Sequence, residues 1–176
     1  MADTGILSGT SSSGTTTLNS TGWHQEAGIT VFLGAGQHCT VTGFSGTIDG
    51  TVDGVIVHLE DTYDPIGPSP VAGAGDVQIS LDGGSNFSSA IGTGDLGTSG
   101  TADLEIGGSG NDWGLDWTGF TDISNIRVKM TSTGDLIYSD RARIQIYYTP
   151  TPSVLPAKII IRSGNLNLKG GSIKLK

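Results

Sequence analysis

Acidic side chains in two loops are the residues of this chain best suited to metal chemistry. Asp61 and Asp64 cluster with Glu60 before a proline-rich segment, and Asp112 and Asp116 each precede a tryptophan. Calcium takes about six to eight oxygen ligands, which loop carboxylates and carbonyls supply. The pattern does not match the calcium-binding loop D-x-[DN]-x-[DN]-G, and turns favour aspartate without any metal. Calcium binding and a plain turn role therefore both stay open for these four residues.

Trp113 and Trp117 lie in one aromatic loop together with Phe120. Exposed rings in such a loop would form a stacking platform for a carbohydrate. Large aromatic side chains contribute most to stability when they are buried, so the same rings could close one end of a folded core. The sequence favours the buried plug and keeps glycan binding by Trp113 and Trp117 as the alternative.

Groups that act as nucleophiles or bases are scarce in this chain. The three histidines and the single cysteine are His24, His38, His58 and Cys39, and their spacing fits no zinc site. Residues 92–97 match G-x-G-x-x-G, but a dinucleotide site needs this motif between a strand and a helix, and a strand-like segment follows here. The sequence therefore predicts a protein that is not an enzyme and carries no cofactor.

Charge is divided sharply along the chain. Residues 1–126 contain fifteen acidic residues and no lysine or arginine, and the first basic residue is Arg127. From Arg127 to the end there are nine basic and two acidic residues, so the formal charge of −8 is the sum of −15 and +7. Such a division points to charged partners, and it argues against nucleic-acid binding by the acidic part.

The last nineteen residues, 158–176, repeat a seven-residue unit three times. Each unit alternates apolar residues and adds a basic one, and Gly or Asn separates the units, which predicts very short strands joined by tight turns. This tail has five basic residues and no acidic residue, so it either folds back on the acidic body or docks on an acidic partner, most simply a second copy. The predicted contact residues are Lys158, Ile159, Ile161, Arg162, Leu166, Leu168, Lys169, Ile173, Lys174, Leu175 and Lys176.

The rest of the sequence is typical of short strands with glycine-rich turns. Apolar and polar residues alternate with period two in several runs, most clearly in 55–60, 77–81, 126–131 and 141–148. The 29 glycines and the lack of helical periodicity favour strands as well. We therefore predict an all-β fold, an antiparallel β-sandwich of jelly-roll type with an extended N-terminal arm and a C-terminal short-strand repeat.

Four segments are expected along the chain. Residues 1–22 are small and polar, and we expect an extended arm that is disordered when free or lies on a neighbour. Residues 23–149 are predicted to form the sandwich domain, 150–157 a stiff proline-rich linker, and 158–176 the basic tail. The sequence predicts neither a secretory signal nor a membrane span.

Three motifs occur in order within residues 75–134: a strand–DGG–aromatic hairpin, a D-x-W-G…W loop and an N-x-R-V strand. Their positions are Asp82, Gly83, Gly84, Phe87, Asp112, Trp113, Gly114, Trp117, Asn125, Arg127 and Val128. This combination resembles the jelly-roll or β-sandwich module of phage virion structural proteins, of the head decoration, cement or tail-fibre type. The tail resembles the Lys/Gly/Leu repeats that end some of these proteins. The resemblance implies a sandwich fold and particle assembly, and motifs of this kind specify function only weakly.

Two functions are expected from these features. The first is a non-enzymatic virion structural protein, a capsid decoration or cement protein on the virion surface that binds neighbouring subunits through its arm and tail. Its partners would be further copies, as a homotrimer or another homo-oligomer, and virion proteins such as the major capsid protein. The alternative is a tail-fibre or adhesin module that binds a host surface glycan through the Trp113/Trp117 loop. Neither function involves nucleic acid or a membrane.

Overall fold

The computed structural model describes residues 1–15, 31–62, 73–96, 103–134 and 136–152. Over these residues the fold is all-β, with two five-stranded antiparallel sheets, a two-stranded ribbon and one short 3-10 helix, Ile123–Asn125. No helix in this part of the chain is long and apolar enough to cross a membrane. The predicted tail 158–176 and most of the proline-rich linker lie outside the described residues.

Twelve strands are assigned within the described ranges. They are β1 (Ala2–Asp3), β2 (Leu7–Ser8), β3 (Ser11–Thr15), β4 (Val31–Leu33), β5 (His38–Thr42), β6 (Gly50–Glu60), β7 (Gly75–Ser80), β8 (Ile91–Gly92), β9 (Leu104–Gly108), β10 (Arg127–Ser132), β11 (Ile137–Ser139) and β12 (Arg141–Pro150).

The first sheet is built on the long antiparallel pair of β6 and β12. The ladder runs from Glu60 opposite Arg141 to Gly50 opposite Pro150, with one irregularity near Tyr147. β9 pairs with the other side of β6, and β1 and β2 both pair with β12. Gly54 allows the close approach of the β9 turn, because a Cβ there would lie 2.5 Å from the Gly108 carbonyl oxygen.

The second sheet has the order β3-β5-β10-β7-β8. Val128 of β10 lies between Val41 of β5 and Ile79 of β7, and all three side chains are fully buried. The separate ribbon pairs β4 with β11, which brings Leu33 opposite Ile137. All strand pairs between the described strands are antiparallel, which confirms the antiparallel part of the fold prediction.

One hydrophobic cluster draws on both sheets. The period-two prediction is confirmed in β6, where Val55, Val57 and Leu59 are fully buried and their neighbours are half-buried. The same alternation holds in β10 and β12, whose buried faces include Met130 and Ile144. Strands with one apolar face must bury that face against another element, so this alternation determines which side of each sheet faces the core.

The described part of the N-terminal arm, residues 1–15, differs from the expectation of a segment that is disordered or lies on a neighbour, and residues 16–22 of the arm lie outside the described residues. Residues 1–15 pair with the sheets of their own chain: β1 and β2 extend the first sheet, and β3 extends the second. The segment is too polar to form a core, but its backbone groups complete the hydrogen-bond ladders of β12 and β5. Ser12 is buried, and Leu7 packs against the hydrophobic cluster.

We predict that Gly14→Val detaches β3 from the second sheet. A Cβ at position 14 would overlap the backbone carbonyl oxygen of His38, and neither backbone can move without breaking the ladder. Overpacking of this kind costs about 1–3 kcal/mol. Hydrogen exchange at residues 11–15 should become much faster, whereas Ser13→Ala, an exposed change on the same strand, should leave it unaltered. Equal protection in both variants would contradict the register.

Candidate interaction surfaces

The aromatic loop between β9 and β10 closes one end of the core. Trp113 is 3% exposed, and its Nε1 donates a 2.9 Å hydrogen bond to the carbonyl oxygen of Val55 on β6. Trp117 is 7% exposed, and its Nε1 donates to the Asp112 carbonyl oxygen at 2.9 Å. Its ring meets Phe120 edge-on with centroids 5.1 Å apart. Both indoles are therefore buried in apolar contact with their polar atoms satisfied.

This burial removes the geometric basis of the glycan interpretation of Trp113 and Trp117. A stacking platform needs an exposed ring face, and neither indole presents one. Trp113 also adopts a left-handed backbone with φ of 60°, a conformation that is costly for a bulky residue. The bond to Val55 and the burial of the ring offset that cost. The geometry fits the other interpretation of the loop, in which its buried rings close one end of the core.

Asp112 and Asp116 of the aromatic loop hold turns in place. Asp112 Oδ1 accepts from the Gly114 amide, and Asp116 Oδ1 accepts from the Thr118 amide, both at 2.9 Å. Hydrogen bonds from Thr118 lower the pKa of Asp116. Both residues line a shallow cleft of about 350 Å³ next to the first residues of β6. These are the Asx-type turns that aspartate forms without a metal.

The candidate calcium residues do not come together in the described part of the chain. Asp61 follows the last residue of β6, whereas Asp112 and Asp116 lie beside its first residues. A strand of this length spans about 35 Å, too far for one ion. Within the described ranges, no group of three or more His, Cys, Asp or Glu side chains could hold a metal. Asp64 lies outside those ranges.

A carboxylate clamp on the first sheet was not found from the sequence. Arg141 Nε donates to Glu60 Oε2 at 2.6 Å, and Arg143 pairs with the other oxygen of Glu60. The exposed fraction of the side chain is 19% for Glu60, 14% for Arg141 and 23% for Arg143. One acid thus holds two arginines of the neighbouring strand. The signal that could have found it is the alternation of β12, which puts Arg141 and Arg143 on one face.

The two other basic residues of the described chain, Arg127 and Lys129, lie on the outer face of the second sheet. Arg127 Nη1 donates to the backbone carbonyl of Ser124 at 2.9 Å, and Lys129 Nζ lies 4.1 Å from the centroid of the Phe87 ring. They line an open groove of about 440 Å³. The sequence marks Arg127 as a motif residue and as the first basic residue of the chain, and it does not predict this groove.

The predicted tail contacts lie outside the described residues, so they stay predictions. Comparison with protein-family models, curated proteins and solved structures gave no match.

We predict that the two loop tryptophans emit blue fluorescence and resist quenching. The third tryptophan, Trp23, lies outside the described residues, so the measurement uses a Trp23→Phe background. Buried indoles are shielded from water and from acrylamide, and the hydrogen-bonded rings of Trp113 and Trp117 are both in that state. Unfolding in urea provides the exposed reference. A red, readily quenched emission from the folded protein would contradict the plug and would return the loop to the glycan interpretation.

We predict that Glu60→Gln destabilises the fold by about 1–3 kcal/mol, between the values for exposed and fully buried ion pairs. Two half-buried guanidinium groups would lose the carboxylate that pairs with both of them in the described part of the chain. Glu105→Gln on the adjacent strand is the matched control, because Glu105 is 67% exposed and lies 3.7 Å from His58 Nδ1. Urea unfolding measures both variants. Equal losses in the two variants would contradict the clamp.

Proposed function

We propose that this chain is a non-enzymatic virion structural protein, a capsid decoration or cement protein that assembles with copies of itself on a particle surface. The observation that carries the proposal is strand addition by the N-terminal arm. Residues 1–15 are too polar to form a core, yet they supply edge strands to both sheets. Terminal segments that bind through backbone pairing can attach to other sheet edges in the same way.

We further propose that the two sheets form a β-sandwich of jelly-roll type. The single hydrophobic cluster contains side chains from both sheets, such as Val57 of β6 and Val77 of β7, which supports face-to-face packing. Sandwiches of this kind end in edge strands that must be covered, charged or paired with a partner. That property suits a protein that works by assembly.

The basic tail has a fitting partner on the first sheet. Within the described residues β9 is the last strand of its sheet, and its outer edge begins beside Asp103 and carries Glu105, which is 67% exposed. The tail 158–176 alternates apolar residues and adds a basic residue in each unit. A short strand of this type adds to an edge through backbone bonds, and its charge complements the two acids. We assign β9 of a neighbouring copy as the docking edge.

The reactive groups support a structural role. Burial raises the pKa of the Cys39 thiol to about 12, so it stays protonated at neutral pH and is a poor nucleophile. His38 Nδ1 lies 3.1 Å from the Thr15 hydroxyl of the arm, and His58 Nδ1 lies 3.7 Å from Glu105. Each histidine therefore contacts a residue of the strand that pairs with its own: His38 links β5 to β3, and His58 links β6 to β9.

The alternative function, a tail-fibre or adhesin module, required exposed rings in the aromatic loop. The burial of Trp113 and Trp117 gives it no support. Assembly on a virion surface, as a homotrimer or another homo-oligomer and next to a major capsid protein, is the proposal that the surfaces favour. Neither a membrane nor nucleic acid is part of it.

We predict that removal of residues 157–176 reduces self-association. Light scattering of the full chain should give the mass of an oligomer, and the truncated chain should give a smaller mass, because it has lost a strand that pairs with a neighbour. A full-length control with the five basic tail residues changed to Gln keeps the strand pattern and tests charge alone. A strict monomer for both the full and the truncated chain would contradict assembly.

A further inference from the structure

Two cations in the described chain lack an acidic partner. Arg127 and Lys129 are two residues apart on β10 and therefore point to the same face of the second sheet. Among the described residues, no carboxylate lies within ion-pair distance of either side chain, whereas Arg141 and Arg143 share Glu60. In a chain with a formal charge of −8, this is an unusual concentration of unneutralised positive charge.

The groove around these cations has the chemistry of a carboxylate-binding surface. Hydroxyl-bearing residues of β3, β5 and β10 line it, namely Ser13, Thr40, Thr42 and Thr131. The turn at Gly83 and Gly84 also lines it, together with Phe87, whose ring contacts the Lys129 ammonium. Charged donors and neutral hydroxyl donors in one groove match the several acceptor sites of a carboxylate.

The acid nearest in sequence to this turn, Asp82, forms its hydrogen bonds within the turn and not with a groove cation. Asp82 accepts from the Ser80 hydroxyl at 2.7 Å, from the Asn86 amide at 2.9 Å and from Asn86 Nδ2 at 2.6 Å. These hydrogen bonds lower its pKa and hold the carboxylate within the turn. Asp76 lies at the opposite end of the face, in register with Thr131. Neither acid forms an ion pair with Arg127 or Lys129, so the Lys129 ammonium and the remaining Arg127 donors can meet an outside acidic group.

We propose that this groove docks the acidic aromatic loop, residues 111–122, of a second copy of the chain. This inference rests on the proposed self-assembly and names one of its contacts. The loop carries Asp112, Asp116 and Asp122 as exposed residues and no basic residue. Its turns and its buried tryptophans hold it in one shape, so little conformational freedom is lost on binding.

The contact is heterologous, because the groove and the loop are different patches of the same chain. Such contacts repeat head to tail and close into a ring when the rotation allows, as in a trimer. The basic tail carries the same sign of charge as Arg127 and Lys129, so charge favours the acidic loop over the tail as the occupant of this groove. Tail docking and loop docking are therefore two separate contacts.

The test compares two variants that each bring the formal charge from −8 to −9. Lys129→Gln removes one groove cation, and Ala35→Glu adds an acid at an exposed turn position between β4 and β5 that lies neither in the groove nor in the arm. Sedimentation over a range of concentrations should show association weakened by about tenfold in Lys129→Gln and unchanged in Ala35→Glu. Circular dichroism checks that both variants are folded.

A loop variant identifies the occupant. Asp112→Asn/Asp116→Asn removes two charges, while asparagine keeps the turns. It should weaken association by about tenfold or more, and adding it to Lys129→Gln should cost less than the sum of the two effects, because contacting residues are energetically coupled. A monomeric wild type would overturn the proposed assembly itself. An associating wild type that Lys129→Gln does not weaken would overturn the groove alone, and additive effects would overturn the loop as its occupant.

Discussion

The antiparallel pair of β6 and β12 is the interaction on which the rest of this structure depends. Its ladder extends from Glu60 and Arg141 to Gly50 and Pro150. Val55, Val57, Ile144 and Ile146 bury one face of the pair, which makes this sheet the main contributor of aliphatic core. The Glu60 clamp, the bond from Trp113 and the strands β1, β2 and β9 all attach to it. A loss of this register would therefore displace the loop and the arm together.

The strand edges of the two sheets and the uneven distribution of charge along the chain are the two reasons for proposing assembly. The arm shows that a polar terminal segment can bind through its backbone, and the tail has a sequence suited to the same mode. Exposed strand edges are an aggregation hazard unless a specific partner covers them. The acidic first part of the chain and the basic residues after Arg127 supply that specificity, because like-charged surfaces of two copies repel and unlike surfaces attract.

The strands with strong period two could be predicted from the sequence, and β6, β7, β10 and β12 lie where the alternation puts them. The strands of the arm could not, since Ser and Thr runs carry no apolar period and are held through backbone hydrogen bonds to distant strands. The Glu60 clamp joins residues 81 positions apart, so the alternation that puts Arg141 and Arg143 on one face does not identify Glu60 as their partner. The groove could not be predicted from the sequence. It forms where Arg127 and Lys129 of β10 lie beside β3 and β5, and these strands become neighbours only in the folded chain.

Sedimentation of the full chain at low and high salt tests the central claim most directly. Raising the salt from about 0.1 M to about 1 M shortens the Debye length from about 10 Å to about 3 Å and weakens contacts between charged surfaces. A chain that assembles through complementary charge should be oligomeric at low salt and should dissociate toward the monomer as salt rises. A monomer at both concentrations would contradict assembly, and an oligomer insensitive to salt would contradict its electrostatic basis.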